Sequence, residues 1–269
     1  MSKIKSKVVI ATAVIGCVGA GAPAVASAET ITLSGSTSVA PLASKLASKY
    51  VKTQKGLKFK ILQGGSDVGI ADVSRGRVTL GMSSRDPKSG DPEGIVFEKI
   101  SRDALCLITN KNNPLPNLST AQVQAVFGGS VRDWSAVDGS PLKTTIDVVL
   151  RTAASGTQDA FLKIFMGTTK VFSGASEKAS NGLVQQSISS NENAIGYVSL
   201  AFAEGVNPVP YNGVPCNLTT AKSGEYGGVR NFYLVSRGAA TGAAAKWIRW
   251  IRNNPKAEKI ISTEWVPLS

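Results

Sequence analysis

The segment RTAASGT, residues 151–157, joins a predicted strand to a predicted helix. The apolar run 146–150 before it is typical of a buried strand, and the apolar side chains of 158–166 after it share one helical face. A serine or threonine of the segment can cap the helix, and its glycine allows a close backbone approach. An arginine, hydroxyl groups and free N–H groups at a helix start predict a cradle for an oxyanion. The alternative is an ordinary capped turn.

Three earlier strands are predicted to end in turns of the same kind, which are small and rich in hydroxyl groups. The strands and their turns are 30–34 with GSTS (35–38), 58–62 with GGSD (64–67), and 78–82 with SSR (83–85). In an open α/β sheet, ligands bind at the carboxyl ends of the strands. The sequence therefore predicts an α/β protein whose ligand site lies where these turns meet.

The rest of the chain is predicted to continue the α/β pattern, interrupted by polar loops. The predicted strands are 94–100, 104–110, 194–198, 206–211 and 232–236; the predicted helices are 41–50, a short helix ending near 74, 120–127, 183–190, 242–253 and 255–261; the predicted loops are 173–181 and 213–228. The tryptophans of helix 242–253 have helical spacing, which favours a place in the core.

Composition excludes several classes of function. The 269-residue chain carries a formal net charge of +12 and contains no histidine, which removes His-dependent triads and most zinc sites. Its aspartates show no metal-loop spacing, so neither a metal nor a cofactor is expected. The basic residues are scattered and aromatic residues are few, which argues against a nucleic-acid partner. The length suffices for one large or two medium domains.

Residues 1–28 are typical of an export signal. Three lysines precede the apolar run 8–18, and Ala-Ser-Ala at 26–28 provides a cleavage site. A competing segment, VIGC (14–17), is similar to the lipobox of bacterial lipoproteins, and cleavage there would leave a lipid anchor on Cys17. Both alternatives predict a protein that is exported across the cytoplasmic membrane, either periplasmic or anchored at the cell surface.

Two cysteines, Cys106 and Cys216, remain after the signal. An even number of cysteines in an oxidising compartment is compatible with a disulfide. Two separate buried thiols are an equal alternative, because Cys106 lies inside an apolar predicted strand.

Six motifs resemble one family, in its order and over nearly all of the chain after the signal. They are SGSTSVAPL (34–42), GGSDVGI (64–70), LGMSSR (80–85), RTAASGT (151–157), AIGYVSLAF (194–202) and NFYLVSRG (231–238). Together they resemble the substrate-binding proteins of phosphate-specific ABC transporters, which have the type II periplasmic-binding-protein fold.

This resemblance implies two α/β domains joined by two crossing strands, with the ligand in the cleft between them. One domain would comprise residues 29–103 and 231–269, and the other residues 104–230. The crossings would fall near 101–107 and 230–236.

The resemblance also implies a set of phosphate-binding residues: Ser36, Thr37, Ser38, Ser66, Asp67, Ser84, Arg85, Arg151, Ser155, Gly156 and Thr157. Ser84 departs from the family pattern, in which many members carry an aspartate that accepts the phosphate proton and repels sulfate. Asp67 is then the nearest candidate acceptor, or else it only favours a helix N-terminus. Arg85 is expected to contact the ligand beside Arg151, or to pair with an acidic residue at the rim.

The implied function is a non-enzymatic, monomeric receptor for inorganic phosphate that closes around the anion and delivers it to an ABC permease. The alternatives are a receptor for another tetrahedral oxyanion, chiefly sulfate, and a phosphate sensor subunit. A secreted phosphatase is a remote alternative, because phosphoester hydrolysis needs a metal pair or an activated nucleophile.

Overall fold

A computed structural model describes residues 29–268, and the fold is given for that range; the predicted export signal and Cys17 lie outside it. The strands are β1 Thr30–Gly35, β2 Lys58–Gln63, β3 Leu80–Ser83, β4 Ile95–Thr109, β5 Asp147–Arg151, β6 Ser176–Lys178, β7 Ala194–Ser199, β8 Asn207–Val209 and β9 Val229–Arg237. The helices are α1 Ala40–Val51, α2 Ser66–Ser74, α3 Thr120–Gly128, α4 Gly156–Phe161, α5 Asn181–Ser189, α6 Leu218–Ser223, α7 Gly242–Asn253 and α8 Pro255–Glu264; a π-helical turn, Leu162–Met166, continues α4. This confirms the predicted α/β class.

Helix α1 shows how the sequence positions a turn for binding. Pro41 occupies the first helical turn, where its fixed backbone and missing N–H are tolerated. Leu42, Leu46 and Tyr50 are buried on one face, as their spacing predicts. Burial of this face holds the helix start, and the hydroxyl residues just before it, at the end of β1.

The strands form one sheet system in the order β2-β1-β3-β9-β4-β7-β5-β6, with β8 also paired to β4. Strand β1 is parallel to β2 and β3, and β5 is parallel to β6 and β7. The long strand β4 runs antiparallel to β9 from Ile95 to Ala104 and antiparallel to β7 from Leu105 to Thr109. Strand β4 therefore leads from one half of the sheet into the other.

Three sequence predictions are corrected. The region predicted as two strands, 94–100 and 104–110, is the single strand β4, since its pairing continues through a register shift between Lys99 and Ser101. The polar stretch 173–181 contains β6, which pairs with β5 despite its polarity. The loop predicted at 213–228 contains the short helix α6, capped by Asn217.

Two large hydrophobic clusters lie on either side of the crossing. The first cluster draws on residues between 31 and 100 and between 232 and 265, and the second draws on residues between 104 and 226 together with Val266. None of the helices in the described range is long and apolar enough to cross a membrane.

Cys106 and Cys216 form a disulfide, which decides between the two alternatives left open by the sequence. Cys106 lies in β4 and Cys216 lies shortly before α6, so the bond ties this loop to the sheet of the second cluster. The bond joins residues 110 positions apart. A cross-link over such a long segment restricts the unfolded chain strongly.

Replacing both cysteines with alanine is expected to lower the free energy of unfolding by about 2–4 kcal/mol. Urea unfolding of the double variant and of the parent, both under oxidising conditions, measures the difference. The parent under reducing conditions should approach the variant. An unchanged urea midpoint in the double variant would show that the bond does not stabilise the fold.

Candidate anion-binding site

The turn after β5 meets the turns after β1 and β2. Ser38 Oγ, before α1, lies 3.0 Å from Thr157 Oγ1 in α4. The Asp67 N–H of α2 donates to the Ala154 carbonyl at 3.2 Å. Residues from both sides of the crossing thus touch, as the pattern of strand ends predicts.

Gly156 is required at this contact because no room exists for a side chain. A Cβ added there would lie 2.3 Å from Ser66 Oγ and 2.9 Å from Ser66 Cβ. Gly65, whose φ is +101°, faces Ala154 in the same way, with an added Cβ 2.5 Å from its carbonyl oxygen. These glycines let the backbones of the two turns approach directly.

Three serines from three different turns form a buried hydroxyl cluster. Ser36 Oγ donates to Ser84 Oγ at 2.9 Å, and the Ser84 N–H donates to Ser66 Oγ at 3.1 Å. All three side chains are buried. The cluster joins the ends of β1 and β3 to the start of α2.

Arg151, the last residue of β5, is 1% exposed and has no carboxylate partner among the described residues. Its Nε donates to the Lys178 carbonyl at 3.0 Å, and its Nη2 donates to the Ala179 carbonyl at 2.8 Å and to Thr37 Oγ1 at 3.3 Å. Its Nη1 is buried with no hydrogen-bond partner in the described range. Burial lowers the pKa of Arg151 to about 10, and the positive charge of Arg230 contributes to this.

Arg230 is a second buried arginine, placed by the crossing strands. Its Nε and Nη2 donate to Asp103 Oδ2 at 3.0 and 2.9 Å, and the two residues face each other in the β4–β9 register. Nη2 also donates to Ser38 Oγ at 2.8 Å. Like Arg151, Arg230 has a buried Nη1 without a partner among residues 29–268.

Burial acts on both members of the Arg230–Asp103 pair. It raises the pKa of Asp103 and lowers the pKa of Arg230, and each partner's charge opposes that effect on the other. Asp103 also accepts from Ser199 Oγ at 2.8 Å. Both carboxylate oxygens of Asp103 are therefore occupied behind the arginine.

Asn181, the first residue of α5, connects the two sides of the site. Its Nδ2 donates to Thr37 Oγ1 at 3.0 Å and to Ser38 Oγ at 2.8 Å, while its Oδ1 accepts from the Ser199 N–H at 3.1 Å. The side chain is fully buried. Its amide therefore fixes the two hydroxyls that precede α1.

The guanidinium of Arg85 pairs with acidic side chains, which is the alternative to ligand contact that the sequence left open. Its Nε donates to Asp67 Oδ1 at 2.7 Å, and Nη1 and Nη2 donate to Asp91 at 3.0 and 2.5 Å. Although burial opposes the charge, these bonds raise the pKa of Arg85. Asp67, whose side chain is 40% exposed, is turned to Arg85, so its expected role as an acceptor facing the ligand stays a prediction.

The structure thus brings together nine of the eleven predicted site residues through the contacts above: Ser36, Thr37, Ser38, Ser66, Ser84, Arg151, Ser155, Gly156 and Thr157. Ser155 caps α4 by accepting from the Thr157 N–H. Arg85 and Asp67 form a separate ion cluster beside it.

Sequence reasoning missed Arg230, Asp103 and Asn181. Asn181 could have been predicted from the sequence, because Ser180-Asn181-Gly182 has the same small polar composition as the other turns of the site. The turn was not recognised as following a strand, because the polar strand β6 before it was predicted as a loop. Nothing local distinguishes Arg230 or Asp103, since their pairing depends on the register of two strands far apart in the chain.

No group of three or more cysteine, aspartate, glutamate or histidine side chains is placed to hold a metal ion in the described range. The polar groups that meet in the site are instead guanidinium, amide and hydroxyl groups, which are typical of oxyanion binding.

The site lies where strand ends from the two halves of the α/β sheet system meet, beside two buried arginines, and a crossing strand joins the two halves. This architecture is that of a solute-binding protein. The chain belongs to the PBP superfamily: the family model described as "PBP superfamily domain" matches residues 20–254. The type II periplasmic-binding-protein fold implied by the six motifs is confirmed by the solved structures that it resembles.

Two of these structures come from bacterial transport systems. One is a Clostridium perfringens protein described as a candidate phosphate ABC transporter substrate-binding protein, solved with bound phosphate; it is 28% identical with a TM-score of 0.84, over 90% of this chain and 100% of that one. An ABC-type phosphate transport receptor from Vibrio cholerae is 25% identical with a TM-score of 0.71, over 88% and 100%. Among curated sequences, the phosphate-binding protein PstS of Bacillus subtilis is 24% identical over 89% of this chain and 81% of its own length.

Proposed function

We propose that this protein is an extracytoplasmic receptor that binds inorganic phosphate at the Arg151–Arg230 site and delivers it to an ABC permease. It acts by binding and not by catalysis. The names and bound ligand of the relatives support this, since they are phosphate-binding proteins or transport receptors.

The observation that carries the proposal is the uncompensated charge of Arg151. A buried cation without a counter-ion costs several kcal/mol, and Arg151 bonds only carbonyl and hydroxyl oxygens among the described residues. A bound oxyanion supplies the missing counter-charge, and it can accept from the two free Nη1 atoms of Arg151 and Arg230.

Closure of two domains around the anion is part of the proposal. The division into 29–103 with 231–269, and 104–230, stays a prediction that the two hydrophobic clusters support. Thr37 would bind from one side, Arg151 and Thr157 from the other, and Arg230 from the crossing strand β9, while Ser38 would hold Thr157 and Arg230 in place. Binding would then draw the two sides together, and the closed form would be the one that a permease recognises.

Export and a monomeric state complete the proposal. Residues 1–28 would provide the export signal. The mature protein would begin after Ala28, or it would begin at a lipidated Cys17. Mass spectrometry of the native N-terminus distinguishes these two mature forms.

Calorimetric titration with phosphate tests the proposed function. Purified protein freed of bound anions should bind one phosphate per chain with saturation, whereas acetate and nitrate at the same concentration should give no saturable heat. Absence of saturable phosphate binding by folded protein would reject the proposed function.

Gly156→Ala is expected to weaken phosphate binding by about 1–3 kcal/mol, since the added methyl group collides with Ser66 and holds the two turns apart. Calorimetry of the variant and the parent measures the effect. Gly90→Ala is the matched control, because nothing lies within 4 Å of a Cβ at Gly90. An affinity equal to that of the parent would mean that the two turns do not close on the ligand.

A further inference from the structure

We propose that the site binds tetrahedral dianions as a class, so that sulfate competes with hydrogen phosphate while dihydrogen phosphate binds poorly. This inference rests on the proposed function and concerns the selectivity of the same site. It follows from the direction of the hydrogen bonds, because the hydroxyl groups around the two arginines are arranged to donate.

Two of the hydroxyl groups have no accepting capacity left. A hydroxyl group offers one proton and two lone pairs. Thr37 Oγ1 accepts from Arg151 Nη2 and from Asn181 Nδ2. Ser155 Oγ accepts from the N–H groups of Thr157 and Gln158 at 3.2 and 3.4 Å. Each of these oxygens can therefore only donate its remaining proton.

The hydroxyl group of Ser38 is a third one whose oxygen accepts two hydrogen bonds and can only donate its proton. Its Oγ accepts from Asn181 Nδ2 and Arg230 Nη2, both at 2.8 Å, so its proton is directed to Thr157 Oγ1 at 3.0 Å. The proton of Thr157 is in turn directed away from Ser38. With the free Nη1 atoms of the two arginines, the site presents an array of donors.

No carboxylate in the described range is free to accept a proton from the ligand here. Asp103 Oδ2 is bound to Arg230 and its Oδ1 to Ser199. Asp67 is turned to Arg85. A P–OH group would therefore depend on hydroxyl oxygens such as those of Ser66 and Ser84, and dihydrogen phosphate has two such groups to satisfy.

The formal charge of the buried groups does not by itself separate monoanions from dianions. Arg151 and Arg230 contribute two positive charges and Asp103 one negative charge, which leaves one cation without a counter-ion before any anion binds. A monoanion already balances this single net positive charge, so the proposed selectivity rests on the direction of the hydrogen bonds. Hydrogen phosphate and sulfate supply the same charge.

The other ionisable groups around the site come from several elements. They are Tyr197 of β7, whose pKa burial raises far above its usual range, Glu177 and Lys178 at β6, and the Arg85–Asp67–Asp91–Asp159 cluster beside α2 and α4. Any of these that titrates would affect sulfate and phosphate alike. Sulfate stays a dianion from pH 5 to 8.5, so its pH profile reports the titration of the protein alone.

Calorimetric titration with sulfate and with phosphate between pH 5 and 8.5 tests the inference. At pH 8.5 the sulfate affinity should lie within about tenfold of the phosphate affinity, whereas a site with a dedicated polar partner for one ligand rejects the other by about 10⁴-fold. Below the second pKa of phosphate, its affinity relative to sulfate should fall about tenfold for each pH unit, in step with the dianion fraction.

The outcomes separate this inference from the proposed function. Tight phosphate binding with no detectable sulfate binding, or a flat ratio of the two affinities across the pH range, would overturn the inference and leave a phosphate receptor. Failure of both ligands to bind folded protein would overturn the proposed function and the inference with it.

Variants at Ser84 provide a second readout. Ser84→Asp adds an acceptor at the position where Ser84 Oγ now accepts from Ser36 Oγ. It should weaken sulfate relative to phosphate by roughly a hundredfold or more, because a carboxylate repels an anion without a proton. Ser84→Ala, which removes the hydroxyl without adding charge, should not weaken sulfate relative to phosphate. An unchanged ratio in a Ser84→Asp protein that still binds phosphate would contradict the inference.

Discussion

Arg151→Ala is expected to weaken phosphate binding severely while the protein remains folded. The guanidinium of Arg151 is the buried charge without a carboxylate partner, and its Nη1 is free to bind the anion. Removing one member of a buried, hydrogen-bonded charge pair typically costs about 2–5 kcal/mol or more. The loss of affinity measured by calorimetry should therefore lie between roughly thirtyfold and several thousandfold, or more.

Two further variants make the Arg151 result specific. Arg151→Lys keeps the charge but loses the planar donor pair, so it should recover only part of the affinity. Arg75→Ala removes an exposed arginine of the same charge and should bind as the parent does. Parent-like affinity in Arg151→Ala, with an unchanged thermal midpoint, would remove Arg151 from the site.

Asp103→Ala is expected to destabilise the fold by about 3–5 kcal/mol, because Arg230 then stays buried without its counter-charge. Arg230 is 6% exposed and Asp103 is 1% exposed, so water cannot replace the lost carboxylate without local opening. The pair also joins β4 to β9, the strands that cross between the two hydrophobic clusters. Urea unfolding without phosphate measures the loss.

The double variant Asp103→Leu/Arg230→Met shows whether the destabilisation by Asp103→Ala comes from the lost attraction between the two side chains or from the unpaired charge left buried on Arg230. Apolar residues of similar size often replace a buried pair at little cost, so the double variant should be more stable than Asp103→Ala. It should nevertheless bind phosphate weakly, since Arg230 is gone. If Asp103→Ala unfolds at the same urea concentration as the parent, the pair does not stabilise the crossing strands.

The sequence was informative wherever chemistry and fold depend on the same short segment. Around 34–42, 64–70 and 151–157, a strand, a hydroxyl-rich turn and a helix follow within about a dozen residues, and the structure places their hydroxyl groups together. Gly156 was expected to allow a close approach, and Ser66 is the group that approaches.

Prediction left alternatives open or was silent where a side chain's partner lies far away in the chain. Arg85 follows the third strand in the same way as the hydroxyl residues do, yet three carboxylates, among them Asp91 and Asp159, hold its guanidinium. Arg230 was missed because only the β4–β9 register shows that it faces Asp103 and reaches Ser38. Asn181 was missed because β6 is too polar to be predicted as a strand.

Determining a crystal structure of the protein with bound phosphate would test the proposed site most directly. One phosphate should lie between the turns 36–38 and 155–157, with an oxygen within about 2.7–3.2 Å of Nη1 of Arg151 and another within the same distance of Nη1 of Arg230. A phosphate bound elsewhere, with both Nη1 atoms contacting only protein or water, would contradict the proposed site.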